Sequence, residues 1–269
     1  MLTHPGPADP QRVQIVPCRA HPLRLRLAPD MPLDRAVAEA VRAAGFDAAW
    51  LWLQDLACAR LSYVIPAPPP GDGRVAFYSD THVLEAGARI VAAGLHLGQG
   101  PQGAMLHCHG LWTDAGGTLR MGHLRPEESL LATEAVVTGW GLDGAAFRQQ
   151  PDSETGFDLF APCAQPSRHA GGVPARLVRL RPHQDLSDSL RQLAGPKTRH
   201  VAGLGSLIGT AFADAPDLPG PATEILITGR DAQGLRIASV GQEGVVGQGL
   251  LAPANPVCIT AELLLIDGA

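Results

Sequence analysis

The chain has 269 residues, 45% hydrophobic and 17% charged, and its 26 acidic against 21 Lys and Arg side chains give a net charge of −5. That apolar fraction supports a large buried core in one large or two small domains, while an acidic balance without a basic run argues against a protein that neutralises nucleic-acid phosphates. The five cysteines are scattered and form no CxxC pair, which argues against a disulfide framework or thiolate zinc site and fits a reducing cytoplasm; no stretch reaches the roughly eighteen apolar residues of a membrane span.

The opening "MLTHPGPADPQR" is polar and proline-rich, without an apolar core of signal-peptide length, so residues 1–20 are expected to be a flexible segment. Arg24 with Arg26, and Arg176 with Arg179 and Arg181, have strand spacing and read as solvated strand faces. Leu33, Val37, Ala40 and Val41 fall at helical spacing and predict a helix over 34–44, with Asp30 and Asp34 at its start and Gly45 at its stop. Trp50 and Trp52 come next on one face of a strand, as packing residues. Most of the remaining chain consists of short β-branched or leucine-rich runs between Gly, Pro and Asp, the pattern of antiparallel strands.

Between residues 105 and 123 the sequence "MLHCHGLWTDAGGTLRMGH" places three histidines around a turn. Met105–Trp112 and Thr118–Leu124 read as strands of a hairpin. On the first, His107 and His109 project to the same side and Cys108 to the other. A five-residue loop, Thr113–Gly117, pairs Trp112 with Thr118 and sets His107 opposite His123; a four-residue loop pairs Cys108 with His123 and disperses the cluster. The bulge that the longer loop needs falls on Gly116 or Gly117. Three neutral imidazoles on one face form an open site for Zn²⁺ or another divalent ion, although ordinary strand histidines have the same spacing. Glu134, on the next strand, is the candidate general base, with a solvated surface acid as its plain alternative. His82 and His96 flank the cluster as surface residues or further members of the pocket, and turn chemistry accounts for Asp114.

The pattern then recurs. "LAPDMPLDRAVAEAVRAAG" is echoed by "LRPHQDLSDSLRQLAG", "GARIVAAG" by "ATEILITG", and "LLATEAVVTG" by "VCITAELLLID". The chain divides into residues 21–161, a linker over 162–175, and residues 176–269: two copies of a small α+β domain, each an antiparallel sheet with at least one packed helix. No histidine occurs after His200, so the second copy lacks the cluster and is expected to act as a scaffold. The glycines of "GLGSLIG" do not form a dinucleotide fingerprint, and neither a GxSxG elbow nor a phosphate-binding loop is present.

The run "HCHGLWTDAGGTLRMGHL" and then "ATEAVV" resembles the signature of the PPC (plants and prokaryotes conserved) domain: an HxH strand, a D-x-G turn, a Gly-His-Leu segment and a T-x-E-hydrophobic strand. The resemblance spans residues 23–160. It includes "ARIVAAGLHLG", with Arg89 where the family generally has an acid; in the second copy Glu224 occupies that position. The resemblance implies a strongly curved antiparallel sheet and assembly as a trimer, or here a pseudo-hexamer of domains. It also implies a histidine cluster, His107, His109 and His123, near a subunit boundary where a zinc role is suspected. Plant members reach DNA through AT-hooks, and this chain has no Arg-Gly-Arg-Pro core. Two functions stay open: a metal-dependent hydrolase or lyase acting on a small molecule, and a non-catalytic module that binds a small ligand or regulates a partner without touching DNA.

Overall fold

In the computed structural model, which describes residues 2–268, nearly every strand joins one long sheet. The first half runs through β1 (Val13–Leu27), α1 (Leu33–Ala43), β2 (Ala49–Val64), the short β3 (Pro66–Ala67), β4 (Phe77–Tyr78) and β5 (His82–Leu84), then β6 (Ala88–Gly100), β7 (Gly103–Thr113) and β8 (Leu119–Leu124). It continues with β9 (Leu130–Leu131), β10 (Ala135–Asp143), β11 (Ala145–Asp152) and β12 (Phe157–Ala164). The second half comprises β13 (Val173–Leu180), α2 (Leu186–Leu193), β14 (Thr198–Leu207), β15 (Thr223–Arg230), β16 (Leu235–Val240), β17 (Val246–Leu250) and β18 (Val257–Asp267). Sheet dominates more than the α+β expectation suggests, although each half does carry one helix after its first strand. Among the described residues no helix is long and apolar enough to cross a membrane.

Helix α1 lies within one residue of its expected position and buries Leu33, Ala36, Val37 and Val41. Pro32, not an aspartate side chain, precedes it, and Asp34 contributes only a favourable charge in the first turn. Gly45, at φ +90°, ends it by donating its N–H to the Arg42 carbonyl. Helix α2 is capped by Asp185, whose carboxylate accepts the Asp188 N–H at 2.8 Å.

The two halves join edge to edge: β1 pairs antiparallel with β13 from Val13↔Leu180 to Ala20↔Val173. Outward from that seam the order is β1–β10–β2 and on to β6, β7 and β8 on one side, and β13–β18–β14–β15–β16–β17 on the other. In the first half β2 pairs with β6 over Ala49–Cys58 and again with β8 at Tyr63 and Val64, closing a ring with β6–β7–β8. The bend that permits this falls at Asp55, φ +58°. The principal apolar core ignores the division: Trp50, Leu95, Cys108 and Trp112 share it with Leu204, Leu226, Val240 and Leu264.

Of the segment 1–20 expected to be flexible, residues 2–20 are not loose, and Met1 lies outside the described residues. β1 begins at Val13, His4 is buried, the Gly6 N–H bonds to the Glu154 carbonyl, and Arg12 forms a two-pronged ion pair with Glu154 at 2.7 and 2.9 Å. The linker over 162–175 shrinks to residues 165–172, because β12 and β13 take its ends. Arg179 and Arg181 are likewise no solvated face; both are buried against Asp152, at 2.7 and 2.5 Å. A carboxylate that closes two guanidinium contacts satisfies charges that could not otherwise leave water. Burial pushes the Asp152 carboxyl up, but hydrogen bonding and attraction from Arg179, with the Thr155 N–H, outweigh it and hold the pKa near 2. Because this value lies below the unfolded one, the stabilisation is whole above about pH 4 and lost as pH falls toward 2. Asp152→Asn should cost about 3–5 kcal/mol at neutral pH by leaving two buried cations under-compensated, and the deficit relative to wild type should shrink in urea denaturation repeated toward pH 2.

Candidate metal centre

The histidine hairpin is β7–β8. Its loop has five residues, as expected, but they are Asp114–Thr118, so Thr113 pairs with Leu119 and His109, not His107, faces His123. The pairing moves by an even number of residues, so the face is preserved and all three imidazoles still converge. Asp114 sets the register: its carboxylate accepts the Gly116 and Thr118 N–H groups at 3.0 and 2.9 Å, and Gly117 turns at φ +81°. At Gly122 a Cβ would lie 2.3 Å from the Val64 carbonyl, so only glycine lets β8 seat on β2 beside His123.

One nitrogen of each of His107, His109 and His123 lies within 4.8 Å of the others. Their partners fix two tautomers. His107 Nδ1–H donates to Glu262 Oε2 at 2.7 Å, and His109 Nδ1–H donates to the Ile225 carbonyl at 2.8 Å, since neither oxygen can donate. The two Nε2 atoms are left 3.2 Å apart. Neutral rings would direct lone pairs at each other there, an arrangement that a shared cation would relieve. The spacing fits a metal, because Zn–N bonds of about 2.0–2.1 Å at tetrahedral angles place ligand nitrogens about 3.3 Å apart.

Both acids at this site come from the second half. Glu262 on β18 holds His107, and Glu224 on β15 brings Oε1 to 3.7 Å from His109 Nε2 and 3.9 Å from His123 Nδ1. Both are buried, and each keeps one carboxylate oxygen without a protein partner, Glu224 Oε2 and Glu262 Oε1. Burial raises the Glu224 carboxyl well above its ordinary range. It also lowers His109 to about 3 and His123 well below its ordinary value, aided in both by repulsion from His107. Those two imidazoles are thus held neutral, as ligation requires. The Tyr78 hydroxyl lies 3.4 Å from His123 Nδ1.

The remaining candidates fall elsewhere. Glu134 lies just before β10, exposed and paired with Arg26 at 2.6 Å, so it does not face the histidines. His82 is exposed and stacks on Tyr63. His96 is buried behind the site between Trp50 and Phe147, with Nε2 3.3 Å from the Glu262 carbonyl and a pKa lowered to about 3 by burial. Trp50 is core packing. The glycines of "GLGSLIG" serve strand contact: Cβ atoms at Gly203 and Gly205 would lie 2.6 and 2.4 Å from carbonyl oxygens of Glu262 and Thr260. A readable signal for the missed acids was a lone glutamate in each of two apolar strands, "TEILITG" and "ITAELLLI", where an unpaired charge is costly.

No family model and no curated protein matches the chain. Among solved structures it is similar in part to a metal-containing protein from Archaeoglobus fulgidus, with 23% identity and a TM-score of 0.40 over 53% of this chain and 94% of that one. It is similar also to a plant- and prokaryote-conserved (PPC) protein from Pyrococcus horikoshii, with 13% identity and a TM-score of 0.41 over 55% and 96% of the two chains. A candidate DNA-binding protein from Ralstonia eutropha gives 11% identity and a TM-score of 0.38 over 55% and 89%.

Proposed function

We propose that His107, His109 and His123 bind a divalent metal ion, zinc by the chemistry of an all-imidazole set, at an open site that acts on a small molecule by hydrolytic or lyase chemistry. The observation that carries this is the pair of Nε2 atoms 3.2 Å apart, each on a ring whose other nitrogen is already engaged by a carboxylate or a carbonyl. Such outer partners are the usual means of orienting metal-bound imidazoles. When bound, the ion would supply Lewis-acid chemistry, acidifying water and polarising a carbonyl. Glu224 takes the role expected of Glu134: its buried carboxylate faces two of the imidazoles and can accept a proton there. Glu262 orients His107, and the Ile225 carbonyl orients His109.

The same reading takes the two halves as copies of one domain, supported by the matching strand order on either side of the β1–β13 seam. The second copy is then more than a scaffold, since it furnishes Glu224 and Glu262. Assembly of three chains into a six-domain particle is what the resemblance implies, in a cytoplasmic protein without DNA contact, and light scattering should give a mass of about three times 28.1 kDa.

Protein purified without a nickel column should carry about one metal per chain, and His107→Ala, His109→Ala should remove it; content well below one in wild type, or unchanged in the variant, would sink the assignment. For any ester, lactone or amide that the loaded protein turns over, Glu224→Gln should lower the rate about 10²-fold or more with metal retained. A rate unaffected by that change would remove Glu224 from the chemistry, and turnover of none of these compounds would instead favour the non-catalytic binding module.

A further inference from the structure

His107 and His109 open onto a cavity of about 70 Å³ whose walls are mostly hydrocarbon, including Phe77, Phe157, Leu159 and Ile259. At roughly 10–15 Å³ per water, it has room for a small molecule or one group of a larger one. Its polar lining consists of Tyr78, His107, His109, Glu224, Ser206 and Thr260, with no lysine or arginine. Two of these point to a ligand independently of the metal. Thr260 is 4% exposed and its hydroxyl has no partner, and the buried Glu224 keeps Oε2 unpaired. The Ser206 hydroxyl accepts the Ile259 N–H at 3.0 Å, which leaves its own proton to give. Buried polar groups of this kind are normally satisfied, so their orphaned state marks where a ligand's polar atoms belong.

We propose that this cavity binds a small uncharged carbonyl compound of the primary-amide type, its oxygen accepting from the Thr260 and Ser206 hydroxyls and its N–H donating to Glu224. Charge selects against the alternatives. An anion would find no lysine or arginine in the lining and, apart from the ion proposed at the histidines, nothing to neutralise it beside Glu224; the neighbouring Arg74 is held by Asp72 and stacks 4.4 Å over the Phe77 ring. A cation would be repelled by the ion proposed at the histidines. The walls accept an alkyl or flat apolar substituent, and the volume keeps it short. The assignment rests on the metal reading for what happens to the carbonyl, not for its binding.

Four probes with one alkyl chain test it by ligand-observed NMR on the metal-loaded full chain: butyramide, butyrate, butyl phosphate and butylammonium, with metal content measured on the same samples. Butyramide should bind, and the three ions should bind at least tenfold more weakly. Ala222→Phe, which fills the cavity away from the histidines, should abolish amide binding at unchanged metal content. Thr260→Val, nearly isosteric, should weaken it severalfold and decides the matter if Ala222→Phe does not fold. Either anion binding as tightly as the amide, or amide binding unaffected by Thr260→Val, overturns the proposal. Wild-type protein without metal overturns the metal reading alone if the amide still binds, and both if it does not.

Discussion

Two half-sheets share one apolar core, and that shared core governs the rest of the molecule. Trp50 and Leu95 from the first half pack with Leu226 and Leu264 from the second. The strands bearing those second-half leucines also bear Glu224 and Glu262. Acids fixed in a dry interface cannot keep their hydration, so they must face groups that compensate them. The facing groups are imidazoles on β7 and β8. Hydrophobic burial here has a chemical consequence, since it decides which side chains are denied water and therefore which must interact.

Glycine sets how closely these strands approach. Gly122 admits β8 onto β2, and Gly203 and Gly205 admit β14 onto β18. Each lies where a methyl group would meet a backbone carbonyl within 2.6 Å. The close approaches bring the His107 ring within hydrogen-bonding range of the Glu262 carboxylate and place Glu224 just beyond it from His109 and His123, and the Asp114 turn fixes which histidine faces which. The buried Asp152 group performs a separate task, tying the start of β1, the β11–β12 turn and β13 into one unit.

The legible parts of this architecture are those set by local rules. Helix α1, the β7–β8 hairpin and the common face of three histidines come from spacing, because side-chain direction alternates with a period of two whatever the partner strand. The parity of the loop is readable too, but its position by one residue is not: it depends on Asp114 capping two amide groups, which favours starting the turn one residue later. The long-range facts stay hidden. Glu224 and Glu262 lie 101 or more residues from the histidines they face, and no periodicity reports such pairing. Glu134 is paired with Arg26 at the surface and not with the histidines, because nearness in sequence does not guarantee nearness in space. The anchoring of residues 4–12 is hidden for the same reason, since its partners begin at Glu154.

The separation of His107 from Glu262 by 155 residues also orders events during synthesis. The hairpin is translated long before β18, so a nascent first half presents three histidines without the carboxylate that orients one of them or the apolar cover that excludes water. Any ion captured at that stage would be held by exchangeable, unoriented rings. The ring of His107 is therefore oriented only when the last strand docks, which makes chain completion the step that finishes the site proposed for an ion.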